Sequence, residues 1–296
     1  MAFMRAKMKS SLVIVLALGC GILAVFWPQW RGELRAQGYY PGFGAEGKVT
    51  TAFEDLAQAR AVAIQADGKI VAAGYAVLSG NQHFALVRYN TDGTLDSSFG
   101  TGGKVTTDFF GFGRVNALAI QVDGKIVAAG AAVVSNQDFA LARFNTDGTL
   151  DTSFGAEGMA TTDFLGDIDT AFAVAIQPDA RIVAAGYAST GSGEVFALAR
   201  YDSGLTPLDL ATALSARVQD FVNAGILNPG QGNSLSSKLT HVVQSLNLGE
   251  INTACNQLRA FINEVDALIS SGVLTSAQGE PLIGAATGIR TALGCR

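Results

Sequence analysis

The polar groups with the most regular spacing are Asn90, Asp92 and Asp96, which return as Asn145, Asp147 and Asp151. Oxygen donors this close together raise a calcium reading, since that ion is held by carboxylates and carbonyls. The pattern departs from the EF-hand loop, whose glycine stands sixth; here Gly93 stands fourth. A turn whose Asn and Asp bond their own backbone accounts for the same residues. The turn is the favoured reading, with a calcium-stabilised module as the alternative. Arg88 and Arg143 each precede an aspartate, Asp96 and Asp151, by eight residues. Strand alternation puts them on the face of Phe84 and Leu86, and of Phe139 and Leu141. Such a buried Arg–Asp pair is expected to be structural, adding specificity rather than much net stability. Arg200 keeps the arginine, but Leu208 stands where the acid should be, so its partner must come from elsewhere.

Catalytic chemistry finds little support. The chain has two histidines, His83 and His241. The equivalents of His83 are Asp138 and Glu194, which reads as a variable position, and His241 sits at helical spacing among apolar residues. No Ser–His–Asp or Cys–His arrangement, zinc spacing or phosphate-binding loop is legible. The expectation is a protein that is not an enzyme and needs no cofactor, with a secreted hydrolase as the weakest alternative.

The elements that must carry these residues repeat. Gln65-x-Asp67 returns at Gln121-x-Asp123 and Gln177-x-Asp179, a step of 56 residues each time by the numbering. Repetition at such a period means stacked supersecondary units. Each unit reads as four short strands; in the second they are Lys104–Asp108, Ala117–Gln121, Ile126–Val133 and Phe139–Phe144. Asp123-Gly124 between two apolar runs supplies a hairpin turn. Gly130, like Gly74 and Gly186, lies inside a strand and marks a bulge or a close backbone approach. Counting from Lys48–Thr51 gives three units of four antiparallel strands, a β-propeller-like domain. Closed propellers typically have four to eight blades, so three should leave an open arc. Exposed edges then favour self-association through the propeller ends, or burial of one end by the region that follows.

The run AIQxDGKIVAAG, followed by FALxRxNTDGTLDxSFGxxGxxTTDF, resembles the delta-60 repeat of secreted or surface bacterial proteins. The likeness covers residues 42–204, in units of about 42–100, 101–155 and 156–204. The third copy departs from it: Asp179-Ala180-Arg181 replaces Asp-Gly-Lys, and Asp202-Ser203-Gly204 replaces Asn-Thr-Asp-Gly. The resemblance implies a β-propeller-like fold and an extracytoplasmic setting, and no catalytic residue.

From Leu205-Thr206-Pro207 the apolar period changes from two to three and four. Four stripes follow, led by Leu210, Leu235, Ile251 and Leu282, and the first three stop at Gly225, Gly249 and Gly272. They predict a small four-helix bundle over residues 206–296. This half resembles the FIMAH domain, on Ser234-Leu235-x-x-Lys238-Leu239 and Cys255-Asn256-Gln257-Leu258-x-Ala260-Phe261-Ile262. The resemblance implies an accessory or attachment module. Cys255 lies near the start of the third helix and Cys295 after the end of the fourth. Those ends are neighbours in an antiparallel pair, so a disulfide is predicted between them.

At the other end, MAFMRAKMK carries three positive charges, and Leu12–Trp27 is unbroken by charge. That order predicts an export signal over residues 1–36, or an anchor if it is not removed. The whole chain carries −5. Residues 1–36 hold five basic groups and one acid, leaving 15 basic against 24 acidic groups beyond them. That balance excludes the basic stripe of a nucleic-acid binder. The expectation is an extracytoplasmic bacterial protein that recognises a protein or polysaccharide at the cell surface, touching the membrane only through its first segment. Residues 37–205 form the repeats and residues 206–296 the helical domain.

Overall fold

Runs of Val, Ile and Ala alternate with the turn signals above, and each run becomes a strand that buries a face on its neighbours. The computed structural model describes residues 42–109 and 111–296; the export segment expected over residues 1–36 lies outside them. The first sheet holds β1 (Ala57–Ile64), β2 (Ile70–Leu78), β3 (Asn81–Tyr89) and β4 (Lys104–Thr107), in that order. The second repeats it with β5 (Gly113–Ile120), β6 (Ile126–Val133), β7 (Gln137–Phe144) and β8 (Met159–Thr162). The third has only β9 (Asp169–Ile176), β10 (Ile182–Ser189) and β11 (Glu194–Tyr201). All pairings within these sheets are antiparallel.

The expected count of three four-stranded units is therefore corrected. The strand after each Asn-Thr-Asp-Gly turn folds back onto its own sheet, pairing Phe84 with Thr107 and Leu86 with Val105 in the first. The boundary between units falls one strand later than the repeat suggests. Val49–Thr51, which would be such an outer strand, has no sheet ahead of it and joins no ladder among the described residues. At the other end the chain turns into helices after β11, before the third sheet gains a fourth strand.

Each first strand carries a bulge. Arg60, Asn116 and Phe172 are the extra residues, opposite the Gly74–Ala73, Gly130–Ala129 and Gly186–Ala185 steps. The glycines are required there: a Cβ on Gly130 would lie 1.9 Å from Arg114 O, and on Gly74 1.8 Å from Gln58 O. Bulge and close approach are one feature, which bends the strand and increases its twist.

The sheets stack as a series. β5 packs across the first sheet and β9 across the second. Val71, Ala73, Phe84 and Leu86 of the first sheet meet Ile126, Ala128 and Ala140 of the second in one core. Val127, Ala129, Phe139 and Leu141 of the second meet Ile182 and Ala184 of the third in the next.

The helices are α1 (Pro207–Asn223), α2 (Pro229–Asn247), α3 (Ile251–Ser270) and α4 (Ser276–Ala292). Thr206, Asn228 and Thr275 each close a capping box, and Pro at the start of α1 and α2 is pre-shaped for the first turn. The four stripes meet in a single core containing Leu214, Leu239, Phe261 and Ile289. The bundle sits on the β9–β10 turn. Ala180 belongs to the bundle core, and at Gly288 of α4 a Cβ would lie 1.6 Å from Pro178 O. This accounts for one departure of the third repeat. Ala180 keeps the positive φ that Gly68 and Gly124 have at this turn, 65° against 82° and 81°. The strain of that conformation is offset by a buried methyl group. Cys255 and Cys295 form a disulfide with Cα atoms 5.7 Å apart, as expected from the two helix ends. Among the described residues no helix is long and apolar enough to cross a membrane.

Candidate functional site

The Arg–Asp pairs lie on the face of the arc that carries the bundle. Arg88 Nε donates to Asp96 Oδ2 at 2.7 Å, and Arg143 Nε to Asp151 Oδ2 at 2.7 Å. Lys69 and Lys125 approach the same carboxylates at 3.0 and 2.9 Å. Each guanidinium also reaches the next unit: Arg88 Nη1 donates to Thr146 O, and Arg143 Nη1 to Ser203 O at 2.5 Å. The ring of Phe99 lies beneath Arg88 and that of Phe154 beneath Arg143. Burial pushes the Asp151 carboxyl up, but hydrogen bonds from Ser153 and Lys125 and the Arg143 charge outweigh it and bring it down to about 2. Asp96 is lowered by the same balance, with burial opposed by Ser98, Lys69 and Arg88. These pairs join consecutive sheets and offer no open coordination position.

Arg200 differs. It is exposed, and no carboxylate pairs with it among the described residues. The carbonyl that Arg88 and Arg143 reach belongs to the next unit, and after β11 the chain enters α1, which puts Leu208 where their own units carry an aspartate. Arg181, which replaces the lysine of the other units, turns to Asp179 at 2.6 Å instead.

Asn90, Asp92, Asn145 and Asp147 are engaged in their own turns. Asp92 Oδ1 accepts from Thr94 N at 2.9 Å and from Thr94 Oγ1 at 2.7 Å; Asn90 Nδ2 donates to Thr94 Oγ1 at 3.0 Å. The second turn repeats these bonds around Thr149. The Thr94 and Thr149 hydrogen bonds lower the Asp92 and Asp147 carboxyls. The six residues of the calcium alternative do not converge on one centre; the aspartates face either a threonine turn or an arginine.

A different group of acids does converge, on the opposite face, where β7 begins and β8 leads into β9. One carboxylate oxygen from each of Asp138, Asp163 and Asp169 lies within 4.8 Å of the others. Asp138 is 5 % exposed and Asp169 fully buried, and each keeps an Oδ1 without a hydrogen-bond partner. Asp169 Oδ2 accepts from Phe164 N at 2.7 Å, and Asp163 Oδ1 from Gly166 N at 2.7 Å. Burial raises the Asp138 carboxyl, and the neighbouring charges of Asp163 and Asp169 raise it further. Sequence reasoning missed this cluster, although the signal was available. Asp138 stands where the first sheet has His83, and Asp169 where the second has Gly113. In the first sheet His83 Nδ1 faces Asp108 Oδ1 at 3.6 Å, a cation-capable group opposite one acid.

Between the hairpin turns and the bundle lies a cavity of about 1050 Å³. Gln65, Gln121 and Gln177 look into it from the three sheets, with Arg217 and Asp220 from α1. Neither amide atom of Gln121 has a protein partner, the setting in which buried water is common.

Among the described residues, nothing covers the apolar side chains at either end of the arc. Val62 and Ile64 of the first sheet are 66 % and 61 % exposed, and Phe196 and Leu198 of the third 96 % and 62 %. The equivalents of Phe196, Phe84 and Phe139, are fully buried, each against a phenylalanine that follows an outer strand: Phe109 at 4.4 Å and Phe164 at 4.9 Å between centroids. The helices cover neither end.

Comparison with curated proteins finds no match. Residues 65–99, 121–154 and 177–207 match the family model described as "Domain of unknown function (DUF5122) beta-propeller", one match beginning at the first hairpin turn of each sheet. The repeat region is thus similar, three times over, to a β-propeller family to which no activity is attached.

Proposed function

We propose that the chain is a non-enzymatic recognition and scaffolding module that works as a closed ring made from two copies. The observation that carries this is Phe196, bare on the last sheet where its two equivalents are buried. The first sheet's end holds what the last sheet lacks. Val49–Thr51 corresponds to β4 and β8, and Phe53 to Phe109 and Phe164. Thr51 Oγ1 already bonds Tyr89 Oη at 2.7 Å, just as Thr162 of β8 bonds Tyr201 of the following sheet at 2.8 Å. Residues 48–53 therefore lie as the outer strand of a sheet preceding the first. In the ring that sheet is the third one of the other copy, with Phe196 opposite Thr51 and Leu198 opposite Val49. Phe53 then packs on Phe196, and Arg200 donates to Thr91 O, as Arg88 does to Thr146 O. Closed propellers have four to eight blades; chains of three sheets enter that range with two copies and pass it with three. A two-fold ring satisfies both ends at once.

The setting of this module is extracytoplasmic. The disulfide fits an oxidising compartment, and the delta-60 and FIMAH resemblances and the charge pattern of residues 1–36 support export. The partner is a protein or polysaccharide of the cell surface, met by the exposed face of the ring. Sedimentation equilibrium of the full chain is expected to give a dimer, and Phe196→Glu a monomer with an unchanged circular dichroism spectrum. Val49→Cys combined with Leu198→Cys should give a covalent dimer on oxidation. A wild-type chain that stays monomeric at high concentration would overturn the ring. Retention of the dimer, but not of Phe196→Glu, on envelope or polysaccharide fractions tests the recognition role.

A further inference from the structure

We propose that Asp138, Asp163 and Asp169 form a calcium site that joins the second and third sheets within one chain. The inference is independent of the two-copy ring, because all three residues belong to the same copy and lie at an internal junction.

Three observations meet here. The first is convergence: the three oxygens lie within 4.8 Å of one another, and two ligands on one Ca2+ at about 2.3–2.6 Å are separated by no more than about 5 Å. The second is that both buried carboxylates of the cluster keep an unsatisfied oxygen. Asp138 Oδ1 and Asp169 Oδ1 are buried and accept no hydrogen bond, whereas buried carboxylates are ordinarily paired, hydrogen-bonded or bound to metal. No Lys, Arg or His forms an ion pair with any of the three among the described residues. The third is the comparison of the two junctions. The first junction sets one acid, Asp108, opposite the His83 imidazole at 3.6 Å. The second has replaced that histidine with an acid and added another acid where the first has Gly113. A cation supplied from outside offsets the acids that this exchange gathers at the second junction.

The donor set selects the ion. It contains carboxylate oxygen only, with no sulfur or imidazole, which suits hard divalent cations. Two of the carboxylates are buried at positions set by strands, leaving little room for the waters that Mg2+ retains, and Ca2+ sheds its waters more readily. Asp163 is exposed, so the remaining coordination positions open to water on that side. Three ionised carboxylates around one Ca2+ leave a single net negative charge in place of three.

The test is calorimetric titration of the full chain, freed of metal by chelator, with CaCl2. One saturable site per chain is expected, with an affinity on the order of 10⁻⁴ M or tighter. Asp138→Asn and Asp169→Asn should each weaken it at least about tenfold, and Asp92→Asn with Asp147→Asn should leave it unchanged. Melting gives a second readout. Calcium should raise the wild-type melting temperature. Asp138→His, which copies the first junction, should melt above wild type in chelator and gain nothing from calcium. No saturable binding by the wild-type chain, or binding and calcium stabilisation that survive Asp138→His, would overturn the proposal.

Discussion

Arg143 is nearly inaccessible and makes four kinds of contact at once: a carboxylate, a turn carbonyl, the Ser153 hydroxyl and the Phe154 ring. Arg143→Ala would abandon the Ser203 carbonyl and leave Asp151 with Lys125 as its remaining cation. The expected cost is about 2–4 kcal/mol, toward the low side of a broken buried pair because Lys125 still faces Asp151. Arg200→Ala, made in the monomeric Phe196→Glu background so that the arginine at the same register stays in solvent, should change stability by no more than about 0.5 kcal/mol. Chemical denaturation of both variants checks the contrast; equal effects would mean that Arg143 is not a joint. The aspartates add a pH dependence whose sign follows from their direction. A carboxyl with a folded value below its ordinary 3.8, such as Asp151 at about 2, contributes stability that is complete above about pH 4. That contribution is lost as pH falls through the folded value. Asp151 alone should therefore remove about 2 kcal/mol between about pH 4 and pH 2, and Asp96 acts in the same sense. Urea midpoints that do not change over this range would contradict the assignment.

At the scale of elements, the first strands depend on glycine. Gly130→Ala would drive a methyl group into Arg114 O across the bulge. Backbone cannot move aside as a side chain can, so the expected loss is about 1–3 kcal/mol or more, against a near-neutral result at the open position Gly193. Thermal melts of the two alanine variants compare them directly. In the helical half, α3 and α4 are clamped where they meet by the Cys255–Cys295 bond, which closes a loop of sequence separation 40. Reduction should cost about 3–4 kcal/mol by the chain-entropy account. Thiol titration of the unfolded, unreduced chain should find neither Cys255 nor Cys295 free, and two reactive thiols from these positions would exclude the bond.

At the scale of the molecule, the arc presents an apolar surface at each end, and the proposed ring joins them through Phe53, Phe196, Leu198, Val62 and Ile64. Such a contact is driven by removal of apolar area from water and is little screened by salt. The dimer should therefore persist from low salt to about 1 M NaCl, where a contact made of exposed ion pairs would weaken. Dissociation with rising salt in sedimentation velocity would point to a different interface. A ring also relieves the aggregation hazard of β11, whose outer edge has no partner in one copy.

Much of this was determined by the sequence alone, because the causes are local. Asp-Gly and Asn-Thr-Asp-Gly turns, strand alternation and the 56-residue step define the repeats. Capping residues and stopping glycines define the helices, and two helix ends bring Cys255 to Cys295. The Arg–Asp pairs were legible because eight residues separate partners joined by a single turn. Tertiary structure decided what depends on neighbours distant in sequence. It assigned each outer strand to the preceding repeat, leaving Val49–Thr51 without a ladder and β11 without a fourth strand. It exposed Phe196 while burying Phe84 and Phe139, although the three share one local sequence. It also gathered Asp138, Asp163 and Asp169, which come from two sheets and the connection between them. Comparing the repeats marks Asp138 and Asp169 as departures, but only the stacking of one sheet on the next brings the carboxylates together.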